Sequence, residues 1–308
     1  MRAKTILRPL AMLLAAVLLA FTFVSCDTSQ PAEQSPAEQP PAEQPSIEQT
    51  SAELKIMTFN VLNGWNTSEI GTRDNKTAAK ILALMPDVIG LQEFDDYYRN
   101  ATSTPLISMI SDDYAEAGAD AQSWNPIFYN KSTVELVQCG HEDYDVGTSY
   151  DTYNYKGQKG SKFRTIAWAL LRHKGSGKQF LVCNTHLDVE KEMQPPQVSE
   201  LQSKVTELKG AFEASAVFLI GDLNSNTSSS TAKSLFDYGF RDTHELAQVK
   251  DNLHSCGKQG AAITGTYQWA IDHVYCIGDH ITVSKYTTVT DIRDTSDHCP
   301  VVVELELN

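Results

Sequence analysis

Six short stretches of this chain carry side chains that ligate hard cations or move protons, and each stands at the edge of an apolar run. Asn60, in Thr58-Phe59-Asn60-Val61, is an amide among apolar neighbours, which taken alone reads as a turn cap. Glu93 follows Val88-Ile89-Gly90-Leu91-Gln92; a carboxylate placed directly after a buried run is either a ligand for a hard cation or a solvated loop acid. His186 follows Phe180-Leu181-Val182-Cys183-Asn184-Thr185 and is either a satisfied core residue or, because its pKa lies near neutrality, an acid or a donor to a phosphate oxygen. In Gly221-Asp222-Leu223-Asn224 the glycine permits a tight turn, so that Asp222 and Asn224 point to the same side. Together they can hold a nucleophilic water and donate to a phosphoryl oxygen; an Asx-turn is the structural alternative. Asp272 precedes His273-Val274-Tyr275-Cys276 and either caps a strand or orients a catalytic histidine. Asp297 and His298, in Ser296-Asp297-His298-Cys299-Pro300, offer a metal ligand and a proton-transfer group in one loop.

Such residues work only if rigid elements hold them. Strand-length runs rich in Val, Ile, Phe and Tyr recur at Leu54–Val61, Asp87–Gln92, Pro126–Asn130, Val134–Cys139, Thr165–Leu171, Gln179–Asn184, Val217–Gly221, His273–Cys276, His280–Val289 and Pro300–Leu307. Helical patterns cover Arg73–Leu84, with an apolar face of Ala78, Ala79, Ile81, Leu82 and Met85 ended by Pro86, and also Gln197–Ala214 and Thr231–Tyr238. Many strands with few helices predict two sheets packed face to face with helices outside, an α/β architecture. The polar stretch from His141 to Lys162 predicts a long loop beside the site. Tyr267 and Trp269, just before Asp272, either line a pocket or pack in the core.

The 308 residues are 41% hydrophobic and 21% charged, enough apolar material for a core, which excludes a wholly disordered chain. A formal charge of −14 argues against a general nucleic-acid binder held by a basic surface. Arg2, Lys4 and Arg8 precede an apolar run from Leu10 to Val24, too short for a usual membrane span, and Phe23-Val24-Ser25-Cys26 resembles a bacterial lipobox. Residues 1–26 therefore read as a lipoprotein signal with Cys26 as the lipidated residue, and the chain as exported and anchored to the extracytoplasmic face of a membrane. Residues 27–53 repeat Pro-Ala-Glu-Gln at 31–34, 36–39 and 41–44 and read as a disordered tether, able to span up to roughly 80 Å at about 3 Å per residue. One domain, 54–308, remains; it carries 22 Lys and Arg against 33 Asp and Glu, a charge of −11. Its five cysteines show neither zinc spacing nor a disulfide framework.

Taken in order, Thr58-x-Asn60-Val61, Gln92-Glu93, Asn184-Thr185-His186-Leu187, Gly221-Asp222-x-Asn224 and Ser296-Asp297-His298 resemble the endonuclease/exonuclease/phosphatase family. The resemblance spans roughly 54–308 and implies a four-layer α/β sandwich, two packed mixed β-sheets flanked by helices. It also implies a metal-dependent phosphoesterase that cleaves phosphodiester or phosphomonoester bonds by in-line attack of water. By the same resemblance Glu93 is the main metal ligand, helped by Asn60 and Asp297. Asp222 and Asn224 position water and phosphate, His298 oriented by Asp272 is the base or phosphate contact, His186 is the second histidine, and Arg164 contacts phosphate. The implied cation is Mg²⁺, with Mn²⁺ or Ca²⁺ as alternatives; the partners are a phosphoester substrate and the membrane, and the chain is expected to be a monomer. The rival expectation is a lipoprotein that binds a ligand on the same scaffold without catalysis. No acid that would orient His186 is evident from the sequence.

Overall fold

The computed structural model describes residues 51–64, 70–99, 106–118, 123–145, 164–257 and 269–308, all within one compact unit, Glu48–Asn308. The signal segment, Cys26, nearly all of the tether, Tyr267 and most of the expected 141–162 loop lie outside the described residues.

In chain order the elements are β1 (Ala52–Asn60), α1 (Ile70–Leu84), β2 (Val88–Gln92), α2 (Asp96–Arg99), α3 (Leu106–Ile110), β3 (Tyr114–Glu116), β4 (Ile127–Asn130), β5 (Val134–Asp143), β6 (Thr165–His173), β7 (Gln179–His186), α4 (Gln194–Ala211), β8 (Ala216–Asp222), α5 (Ser230–Tyr238), β9 (Arg241–Asp242), α6 (Thr243–Leu246), β10 (Val249–Lys250), β11 (Asp272–Ile277), β12 (Ile281–Thr288) and β13 (Val301–Leu307). All ten expected strands and three expected helices form. The additional strands and helices span two to five residues, too short to leave a periodicity. β1 starts at Ala52, inside the segment expected as tether, because Ala52 is buried and pairs with Leu307. β5 runs on to Asp143, so the first residues of the expected loop belong to a strand.

One sheet has the order β10-β12-β13-β1-β2-β4-β3, the other β5-β6-β7-β8-β11-β9. Both are mixed: β1 and β2 run parallel, as do β7 and β8, while β13 and β11 pair antiparallel with β1 and β8. Alternate side chains of a strand face opposite ways. Leu54, Ile56, Val88, Phe180, Val182, Phe218, Ile220, Val274 and Val303 fill the space between the sheets. Their neighbours Met57, Phe59, Ile89 and Leu91 meet Ala78 and Ile81 of α1, and Leu181, Cys183, Val217 and Leu219 meet Val198, Leu201 and Val205 of α4. Burial on both faces explains the near-continuous apolar runs. The result is the four-layer α/β sandwich.

The face α1 buries differs from the apolar one expected. Ala79 and Met85 are exposed, while Arg73, Asp74 and Thr77 are buried with Ala78 and Ile81. Positions 73, 77 and 81 follow one another at four-residue spacing, so they share the inward stripe despite being polar in part. α4 starts three residues early, with prolines in the first turn, where a missing N–H costs nothing.

Candidate active site

The parity that builds the core also aims the site. Asn60 of β1, Gln92 of β2, His186 of β7, Asp222 of β8 and Asp272 of β11 share the inward parity of Ile56, Val88, Val182, Ile220 and Val274. Register brings them level: Asn60 lies opposite Gln92, His186 opposite Asp222, and Asp222 opposite Asp272. The inter-sheet layer thus turns from apolar to polar at one end. Just below the site Asn184 donates to the carbonyls of Leu91 (2.8 Å), Asn125 (3.1 Å) and Pro126 (2.9 Å), and Gln92 Nε2 donates to Asn184 Oδ1 (2.7 Å). Gly90 leaves room for this, since a Cβ there would lie 2.8 Å from the Asn184 side chain.

Glu93 has the wrong parity for the site, and its backbone corrects this with a φ of 59°. Its carboxylate accepts from Asn60 Nδ2 (3.1 Å), Asn63 N (2.9 Å) and Asn63 Nδ2 (2.6 Å). Leu62 (φ 57°) and Asn224 (φ 45°) are also left-handed, so three of the four non-glycine residues of positive φ among the described residues flank this pocket. Each such conformation costs on the order of 1 kcal/mol or more and persists only where surrounding contacts impose it.

Asp222 is the hub. Its Oδ2 accepts from Asn60 Nδ2 (3.0 Å) and lies 3.3 Å from His186 Nε2 and 3.7 Å from His298 Nε2; its Oδ1 accepts from Asn224 N (2.9 Å). The Asx-turn foreseen as the alternative therefore forms, and the Asn224 amide donates to Leu187 O (2.8 Å). Asp272 Oδ2 meets His298 Nδ1 at 2.8 Å and accepts from Ser255 Oγ at 2.6 Å. Ser296 Oγ donates to Asn60 O (2.7 Å) and accepts from His298 N (3.1 Å), which fastens the Asp297–His298 loop to β1.

Burial pushes Asp222 up to about 7, against the pull of the His298 charge. Burial opposes charge on His298, but Asp272 and Asp222 outweigh it and hold this imidazole well above its ordinary value. Burial, then the charges of Arg164 and His298, hold His186 well below its own, so it is neutral. Burial raises Asp297, with His298 opposing and Glu93 adding repulsion. These influences place Arg164 close enough to His186, and Glu93 close enough to Asp297, to act electrostatically. Asn60, Glu93, His186, Asp222, Asn224, Asp272 and His298 are brought to this end, with Asp297 next to His298 in the chain, while Cys26 lies outside the described residues. Trp269 is 43% exposed beside the site rather than packed in the core.

Two groups of side chains are candidates for a cation. Glu93 and Asp297 supply carboxylate oxygens suited to a hard divalent ion, while Asn60 Oδ1 accepts from Leu62 N at 3.0 Å. The Asn60 amide presents its positive end to Glu93 and Asp222 where their oxygens converge, which is what a cation would do there. Asp222, Asp272 and His298 also offer ligand atoms within 4.8 Å of one another, and Asp272 Oδ1 is buried with no hydrogen-bond partner among the described residues. An imidazole held protonated has no lone pair to give, so the second trio is arranged first for proton transfer. The Glu93 and Asp297 carboxylates fit a divalent metal site as they stand, and the second trio does so only once the His298 imidazole has given up its proton.

Sequence reading missed Asn63, Ser255 and Cys256. Cys256 sits with its Sγ 3.4 Å from His298 Nε2, and its strand-like segment pairs with both His298 and Trp269. These residues lie in irregular segments and carry no periodic signal.

No curated protein matches the chain. Among solved structures, an endonuclease/exonuclease/phosphatase family protein from Bacteroides thetaiotaomicron superposes with a TM-score of 0.68 at 21% identity, covering 84% of this chain and 99% of that one. A mannosyl-6-phosphatase from Bacteroides thetaiotaomicron gives 0.64 at 22% identity, covering 82% and 99%. D. rerio TDP2, complexed with a single-strand DNA product, gives 0.62 at 16% identity, covering 82% and 99%. The family pattern itself matches residues 57–298, and with the fold and the converging acids, amides and histidines this chain belongs to the endonuclease/exonuclease/phosphatase family.

Proposed function

We propose that this chain is a Mg²⁺-dependent phosphodiesterase, exported and held at a membrane through Cys26. The observation that carries the hydrolytic reading is the unbroken run Asp272–His298–Asp222–Asn60–Glu93, in which proton-transfer groups and oxygen ligands share one buried carboxylate.

Glu93 and Asp297, with Asn60 beside them, would hold the ion, which would polarise the phosphoryl group and offset its developing charge. Asp222, with a pKa near neutrality, takes the proton of the attacking water more readily than an ordinary aspartate. His298, kept charged by Asp272, donates to a phosphoryl oxygen as negative charge accumulates there. His186 Nε2 lies 3.3 Å from Asp222 Oδ2, and Arg164, whose charge acts on this histidine, meets a second phosphoryl oxygen. The solved relatives include a protein named for a phosphomonoester and one holding a DNA product, so monoester hydrolysis is the second reading.

The purified chain is assayed on bis(p-nitrophenyl) phosphate and p-nitrophenyl phosphate with Mg²⁺, Mn²⁺, Ca²⁺ or EDTA. The expected result is metal-dependent release, faster from the diester, abolished by EDTA and reduced at least about 10²-fold in Glu93→Ala. Faster release from the monoester reverses the substrate order; no release from any phosphoester leaves a binding lipoprotein. Cys26→Ala is expected to move the protein from the membrane fraction to the soluble one.

A further inference from the structure

A charged residue outside this machinery is buried between the two loops that carry it. Arg73, on α1, is 6% exposed. Its Nε donates to Thr295 O at 2.6 Å, the carbonyl just before Ser296-Asp297-His298. Its Nη2, with two N–H bonds, lies within hydrogen-bonding reach of Val61 O and Leu62 O, the two carbonyls just after Asn60, and of Tyr98 Oη at 2.7 Å. Tyr98 Oη in turn reaches the same two carbonyls, at 2.8 and 2.9 Å. Further along the same helix face Lys76 pairs with Asp294 and Lys80 with Asp291, which holds the rest of that approach to Thr295.

A planar guanidinium can donate in several directions at fixed angles, so it sets the separation of the groups it binds. Here those groups are main-chain carbonyls 234 positions apart in numbering, Val61 and Thr295. Leu62 is left-handed, a conformation that needs outside support.

We propose that Arg73, with Tyr98 as its relay, is a positioning residue that sets the distance between Asn60 and Asp297, and so the shape of the cation site. The inference rests on the metal-site reading above. It assigns Arg73 no contact with substrate, since its hydrogen bonds are to carbonyls and a tyrosine.

The variants are Arg73→Lys, which keeps the charge but not the fork, Arg73→Met and Tyr98→Phe. Three readouts are taken on the full chain: thermal unfolding, Mn²⁺ binding by calorimetry, and kcat and KM on bis(p-nitrophenyl) phosphate. For Arg73→Lys a melting temperature within a few degrees of wild type is expected. Mn²⁺ binding should be about tenfold weaker, and kcat about 10- to 100-fold lower, with KM changed less than about threefold. Tyr98→Phe should show the same pattern more weakly. Unaltered Mn²⁺ affinity in a folded Arg73→Lys overturns the proposal, as does loss of activity that only follows loss of fold across all three variants. If wild type binds Mn²⁺ yet hydrolyses no phosphoester, the functional reading fails while the calorimetric comparison still judges Arg73.

Discussion

Asp272 shows how the division of labour depends on single atoms. One oxygen orients His298 and accepts from Ser255, while the other has no hydrogen-bond partner among the described residues. Replacing the carboxylate by an amide keeps the shape and removes the charge that sustains the imidazolium. Asp272→Asn is expected to lower kcat by about 10²- to 10⁴-fold with KM little changed, read by steady-state kinetics. If kcat instead stays within a factor of about three, His298 does not act through Asp272. Sequence reading named no acid for His186; Asp222 Oδ2 lies 3.3 Å from its Nε2, 36 positions away in numbering and level with it across a parallel pair.

At the scale of elements, the β7–β8 pair is held at unusually close quarters. Gly221 has a φ of 146°, and a Cβ there would lie 1.9 Å from the Thr185 carbonyl oxygen, a backbone atom that cannot swing aside. Gly221→Ala is expected to destabilise the fold by about 3–5 kcal/mol and to displace Asp222. Gly239, at a φ of 120° with open space where a Cβ would go, isolates the conformational cost. Gly239→Ala should cost about 1 kcal/mol. Urea unfolding of both variants separates steric from conformational strain; equal losses would contradict the steric account.

Across the whole molecule, polar groups are buried on the outer side of the first sheet as well as at the site. Asp74 of α1 is fully buried, and that burial raises it from 3.8 to about 7, with the Arg73 charge opposing. The folded state therefore keeps this proton over a range in which the unfolded chain has released it. The stability so contributed is complete below about pH 4 and is lost as pH rises toward 7. Between pH 5 and pH 8 the wild type should lose roughly 1–3 kcal/mol that Asp74→Asn does not lose, measured by urea unfolding at each pH. A loss of equal size in Asp74→Asn would place its origin elsewhere. Among the described residues no helix is long and apolar enough to cross a membrane.

The strands and the catalytic residue types were legible in the sequence for one physical reason. A strand buried on both faces must be apolar along its length, so a polar residue at its end stands out, and its parity against the core residues tells which way it faces. Asn60, His186, Asp222 and Asp272 could be read that way. Glu93 is displaced from its strand's parity by one left-handed residue, a choice made by its contacts with Asn60 and Asn63 rather than by local preference. Arg73 entered the sequence reading only as the first residue of an expected helix, and its burial follows from carbonyls that distant segments bring to it. Local chemistry and the alternation of a strand are properties of the sequence itself. The pairing of His186 with Asp222, the placement of Ser255 and Cys256 against Asp272 and His298, and the clamp on the two loops exist only once the sheets have packed, because each joins residues that nothing but tertiary contact brings together.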